Sequence, residues 1–179
     1  MKQLSVAHSP AALSVNKAHN IVVACMSAKK IQEYTTHGAL VRKISLEQAG
    51  VTRPWQAVQL STGDCVVSEW TSPGAVSVVG VGGQLVRRYR PSETSDVGQM
   101  SLPTSLAVTK NDDILVADHA NNRILLINRS LSSAHELALP VDGGIQWPLG
   151  LCLDESRARL YVGEYGGSHR VLVIDAVTP

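Results

Sequence analysis

Short apolar runs separated by polar turns set the rhythm of the chain. Ile21-Val22-Val23-Ala24, Cys65-Val66-Val67-Ser68, Ile114-Leu115-Val116-Ala117 and Leu160-Tyr161-Val162-Gly163 are strand-length and rich in apolar, often β-branched residues. Runs of this kind, bounded by Gly, Pro, Asn and Ser, read as strands. A further set follows each: Ile31 to Tyr34, Val76 to Val79, Ile124 to Ile127 and Val171 to Ile174. No window keeps a 3.6-residue apolar period with a cap, so the pattern predicts no helix.

Laid on itself, the chain repeats. Pro10, Pro54, Pro103 and Pro148 recur at intervals of 44, 49 and 45 residues, each leading into a short apolar strand. A polar turn, a second strand, a small loop and a third strand follow in every repeat. The first three repeats carry a fourth segment, near Ala39 to Ile44, Leu85 to Tyr89 and His135 to Leu139. The period matches propeller blades of four short strands, roughly 40–50 residues each. One domain over 1–179 is expected, with blades near 9–50, 51–100, 101–146 and 147–179. The last blade is incomplete, and Lys2 to Ala7 reads as a stray outer strand.

The third repeat runs Leu106-Ala107-Val108, Ile114-Leu115-Val116-Ala117-Asp118 and Asn121-Asn122-Arg123-Ile124. This resembles the NHL repeat, in which an apolar strand ending in an acid is followed by an Asn-Arg-Ile or His-Arg-Val opening of the next strand. The fourth repeat agrees through Glu164 and Ser168-His169-Arg170-Val171. The first departs with Cys25 at the acid position and Lys30 at the basic one. The second keeps Glu69 but has Ala75 at the basic position. The resemblance implies an all-β fold: either a fragment of a six-bladed propeller or a four-bladed ring. It also implies a binding scaffold, as in tripartite-motif proteins, where such a domain selects targets for ubiquitin transfer by a separate RING domain.

Composition narrows the function classes. The 179 residues carry 16 basic and 15 acidic side chains, a net charge of +1. That balance disfavours a domain holding nucleic acid mainly by phosphate charge. No apolar run approaches the ~20 residues of a membrane span, and the N-terminus lacks the apolar core of a secretion signal. Cys25, Cys65 and Cys152 form no close-spaced pair, which fits a reduced, cytoplasmic protein with buried strand cysteines.

Two candidate groups of residues emerge. Asp118 with Arg123, and Glu164 with Arg170, flank the loop between second and third strands and read as structural acid–base pairs. The residue after the acid position is Met26, Trp70, His119 or Tyr165, so bulky side chains recur on one propeller face. Lys29, Lys30, Arg53, Trp55, Asn121, Asn122, Trp147 and His169 belong to the same face. The expectation is a partner-binding surface, for a protein first and for RNA as the alternative. Arg87-Arg88-Tyr89-Arg90 reads as a solvated outer edge that discourages edge pairing, or as an RNA or acidic-partner contact. A metal-dependent propeller lyase or hydrolase would need acids or histidines at the tops of the innermost strands. The residues there are Ala11, Ala12, Trp55, Gln56, Thr104, Ser105, Leu149 and Gly150, so no catalytic residue, metal or cofactor is expected.

Overall fold

Each apolar run pairs with the next because a polar turn returns the chain antiparallel, and the strands collect into four sheets. The computed structural model describes residues 6, 9–139, 143–166 and 170–175. The first sheet holds β1 (Pro10–Val15), β2 (Ile21–Cys25), β3 (Lys30–Tyr34) and β4 (Leu40–Ser45). The second holds β5 (Pro54–Gln59), β6 (Cys65–Glu69), β7 (Ala75–Val79) and β8 (Leu85–Tyr89). The third holds β9 (Pro103–Val108), β10 (Ile114–Asp118), β11 (Arg123–Ile127) and β12 (Ala134–Glu136), and the fourth β13 (Pro148–Asp154), β14 (Arg159–Glu164) and β15 (Val171–Asp175). The chain is thus all-β and propeller-like, four meandering blades in succession. Each innermost strand begins on its Pro, where a missing N–H costs no ladder bond.

Alternation along each strand sends one set of side chains toward the preceding blade and the other toward the following one. We call these the leading and trailing faces. Val22, Ala24 and Ile31 on the trailing face of blade one meet Ala57, Cys65, Val67 and Val79 on the leading face of blade two. Val66, Val76 and Val78 meet Leu106, Ile114, Val116 and Leu125 in the same way. Leu115, Ala117, Ile124 and Leu126 meet Leu160, Val162 and Ile174. Nearly all are fully buried, and each buried Val, Leu or Ile side chain contributes about 1.5–3 kcal/mol.

Buried polar side chains tie the inner strands across these joints. Ser14 donates to the Ala57 carbonyl at 2.7 Å and the Gln56 amide to the Leu13 carbonyl at 3.2 Å. Ser68 donates to the Thr104 carbonyl at 2.6 Å, and Thr104 to the Pro148 carbonyl at 3.2 Å. The Leu151 N–H donates to Ser105 Oγ at 3.0 Å. Buried polar groups require such partners.

The two ends differ from the joints. β1 packs on β5, β5 on β9 and β9 on β13, but β13 and β1 make no comparable contact. Leu13 and Val15 on the leading face of blade one are 63% and 59% exposed, and Val171 and Val173 on the trailing face of blade four are 66% and 53% exposed. Val6 lies against Val23, Cys25 and Tyr34 of that leading face, outside any strand. The rest of the expected strand at Lys2 to Ala7 falls outside the described residues.

Three expectations need correction. Single 3-10 turns occur at His119–Asn121 and Glu155–Arg157, each closed by a left-handed residue, Asn122 or Ala158. Three residues are too few to show a helical period. Cys152 is exposed, unlike Cys25 and Cys65, because it sits on the trailing face of the last blade. Arg88 is not a solvated edge residue: it turns inward to Glu69 at 3.1 Å and donates to the Ala49 carbonyl at 2.8 Å.

Candidate functional site

The loops joining second and third strands, and those entering each first strand, gather at one end of the blades. Main-chain bonds hold them in register there. The N–H of Trp70, just after Glu69, donates to the carbonyl of Arg53, just before Pro54, at 2.9 Å. Tyr165, just after Glu164, donates to Trp147, just before Pro148, also at 2.9 Å. The same geometry therefore brings together two positions that lie far apart in sequence.

The side chains at these positions form two clusters. Trp55 and Trp70 have ring centroids 5.1 Å apart, and the Arg53 guanidinium lies 4.4 Å over the Trp70 ring. This cation–π arrangement leaves Arg53 exposed, with no carboxylate partner among the described residues. His119 stands 5.3 Å from Trp147 and 6.4 Å from Tyr165. Its Nδ1 lies 3.1 Å from the Pro148 carbonyl, which fixes the ring across the joint between blades three and four. Trp147 is 46% exposed and Tyr165 64%.

The acids beneath this rim are turned inward and neutralised. Asp118 is fully buried; its Oδ2 accepts from Arg123 Nε and Asn121 Nδ2, both at 2.8 Å, and its Oδ1 from the Ser101 N–H at 2.7 Å. Glu164 accepts from Arg170 Nε at 2.6 Å and from the Gln146 N–H at 2.7 Å. In blade two, where the expected basic position is Ala75, Arg88 of β8 reaches Glu69 instead. Blade one has Cys25 at the acid position, where its thiol donates to Gln32 Oε1 at 3.4 Å; its buried acid, Glu33, lies at the other end of the blade, bonded to Asn16 and Asn20 of the β1–β2 turn and paired with Arg42 at 2.5 Å. Burial alone would raise the Glu33 carboxyl, but donors Asn20, Arg42 and Asn16 outweigh it and hold the group below the ordinary carboxylate range. The acidic charge is therefore masked, while Arg53 and Lys29 remain exposed cations.

The other residues of the expected surface divide. Asn122 accepts the Trp147 N–H at 2.7 Å, and Asn121 also donates to the Gln99 carbonyl at 2.8 Å, so both amides position the rim. Met26 and Lys30 are half-buried and Lys29 is exposed. These three belong to blade one, and none of them joins either aromatic cluster among the described contacts. His169 lies outside the described residues. Among the described residues, no three His, Cys, Asp or Glu side chains converge as metal ligands would, and no helix is long and apolar enough to cross a membrane.

Comparison with known proteins agrees with this architecture. Residues 100–125, spanning the end of blade two's outer loop through Arg123, match the NHL repeat model. No curated protein sequence matches the chain. Virginiamycin B lyase from Staphylococcus aureus is similar in structure, with a TM-score of 0.59 at 16% identity, over 93% of this chain and 55% of the lyase. The nidogen/laminin complex contains a similar chain, with a TM-score of 0.68 at 15% identity, over 94% of this chain and 60% of that one. The WD40 propeller domain of Doa1 gives a TM-score of 0.67 at 12% identity, over 96% and 52%. The chain spans little more than half the length of these structures, and at such identities the likeness concerns the fold alone.

Proposed function

We propose that this chain is a binding module that holds a protein partner on the rim formed by Arg53, Trp55, Trp70, His119, Trp147 and Tyr165. One observation carries the reading: backbone bonds hold Trp70 to Arg53 and Tyr165 to Trp147, and Trp147 and Tyr165 stand exposed beside the half-buried His119, Trp55 and Trp70. Core packing does not account for Trp147 and Tyr165 at their exposures. Rigid aromatic and arginine side chains are the usual anchors of interfaces, because little freedom is lost when they are covered. With the acids beneath them masked, the free cations favour a partner segment carrying acidic groups. Met26, Lys29, Lys30, Asn121, Asn122 and His169 would form the periphery of this surface.

The NHL resemblance supports a finer version, in which the rim recruits a target for ubiquitin transfer by a domain elsewhere, in a reducing cytoplasmic setting. RNA is the second reading, favoured by the Arg53–Trp70 stack, which offers a platform for a base.

Selection from a random peptide library tests the proposal. Peptides enriched on the native protein should bind Trp147→Ala and Trp70→Ala about tenfold or more weakly, at an unchanged melting temperature. Equal binding by both variants would refute the rim. Tight binding of single-stranded RNA that is steeply weakened by salt and lost in the same variants would transfer the rim to nucleic acid.

A further inference from the structure

One ring of the rim is held in a single sense by its surroundings. The Pro148 carbonyl accepts from Thr104 Oγ1 at 3.2 Å and lies 3.1 Å from His119 Nδ1. A carbonyl only accepts, so Nδ1 carries the proton of that bond, and in the neutral ring Nε2 carries none. Among the described residues Nε2 has no hydrogen-bond partner. The backbone of this 3-10 turn is fixed as well. The Ala120 N–H donates to the Ser101 carbonyl at 3.1 Å, and the Asn122 N–H to the His119 carbonyl at 3.3 Å. The half-buried ring therefore keeps one nitrogen unengaged beside Trp147 and Tyr165.

The charges around this ring cancel. Asp118, which opens the His119 turn, is held by Arg123 at 2.8 Å, and Glu164 of blade four by Arg170 at 2.6 Å. Among the described residues on these elements, Tyr165 is the remaining titratable group beside the ring. The entries of β9 and β13, residues 101–104 and 146–148, carry no charge. An imidazole gains its second ring proton between about pH 8 and 5. Nε2 then changes from a neutral acceptor to a charged donor, with no described carboxylate of the chain bonded to it.

We propose that His119 reads an acidic side chain of the protein partner, and does so as the imidazolium, so that the rim holds its partner more tightly as pH falls from about 8 to 5.5. This rests on the protein-binding reading of the rim. The sign follows from linkage. A carboxylate on Nε2 stabilises the charged ring, so the complex takes up a proton as it forms, and lower pH favours it. Ordinary carboxylates stay ionised above about pH 5, so the partner keeps its charge across this window. Partner groups lying over Trp147 and Tyr165 would exclude water from the pair and strengthen the attraction. A neutral donor on the partner would instead take the lone pair of the neutral ring and be displaced by acid. The direction of the pH effect therefore decides between the two.

Peptides selected on the whole chain at pH 5.5 test this, made without histidine and with a blocked N-terminus so that the peptide adds no titration in the window. Acidic residues should be enriched. Affinity should fall severalfold from pH 5.5 to 8, as a rise of about one unit in the ring's titration midpoint on binding requires. Magnetic resonance of the His119 ring should show that rise directly, and the Nδ1–H tautomer in the neutral protein. His119→Asn, whose amide can still donate to the Pro148 carbonyl, should bind more weakly at pH 5.5 and lose the slope, at an unchanged melting temperature. Peptides that need Trp147 but whose affinity is flat, or rises with pH, would overturn the proposal and leave the rim standing. Peptides indifferent to both Trp147→Ala and Trp70→Ala would remove the rim and this proposal with it. The same slope found with single-stranded RNA and with no peptide would also overturn it.

Discussion

Asp118 shows how much a single buried carboxylate organises. It holds the end of β10 to the opening of β11 through Arg123, and to the strand entry of its own blade through the Ser101 N–H. Arg123 also reaches Glu136 at 3.6 Å and the Gln99 carbonyl at 3.2 Å, so one guanidinium joins three segments. Removing it strands a charge that water cannot reach. Arg123→Ala should therefore lower stability by about 3 kcal/mol, read from urea unfolding. Asp118→Asn should also destabilise: its oxygen can still accept from the Ser101 N–H, but its NH2 then faces the Arg123 and Asn121 donors that Oδ2 accepts.

At the scale of elements, the turns are as demanding as the strands. Gly83, between β7 and β8, has φ +89, and a Cβ there would stand 2.4 Å from the Ser45 carbonyl oxygen of the preceding blade. Gly83→Ala combines a left-handed backbone with a clash against main chain. It should cost roughly 1–3 kcal/mol, visible as a lower melting temperature, whereas Gly63→Ala meets no neighbour and strains only the backbone. Strands such as β6, β7 and β10 were legible in the sequence because β-branched runs between turn residues have little else to become. The acid–base pairs Asp118–Arg123 and Glu164–Arg170 were legible because their spacing is short. Arg88 was not: its partner Glu69 lies two strands away, and only register places them together. Gln56, Thr104 and Ser105 looked merely uncharged, and their work of tying blades depends on which carbonyl faces them across a joint. The 3-10 turn at His119 was hidden for a different reason, since three residues carry no periodicity.

Across the whole molecule, cohesion passes only between neighbours. Blade two is flanked by two apolar joints and blade three likewise, while blades one and four have one each. Stability in such an array is approximately a sum of repeat and neighbour terms. Amide hydrogen exchange should accordingly be slowest in β6, β7, β10 and β11, and fastest in β15, which forms the outer side of a three-stranded sheet. Uniform protection across all four blades would contradict this gradient.

The place of β15 at the border of its sheet, among the described residues, has one more consequence. Where the other sheets end on a fourth strand, this one ends on β15 among the described residues, beside the exposed Val171 and Val173. Such a border can template whatever extended chain it meets. The Arg159–Asp175 ion pair at 2.6 Å sets two charges at its far end, a modest guard against indiscriminate zippering when the protein is concentrated or warmed.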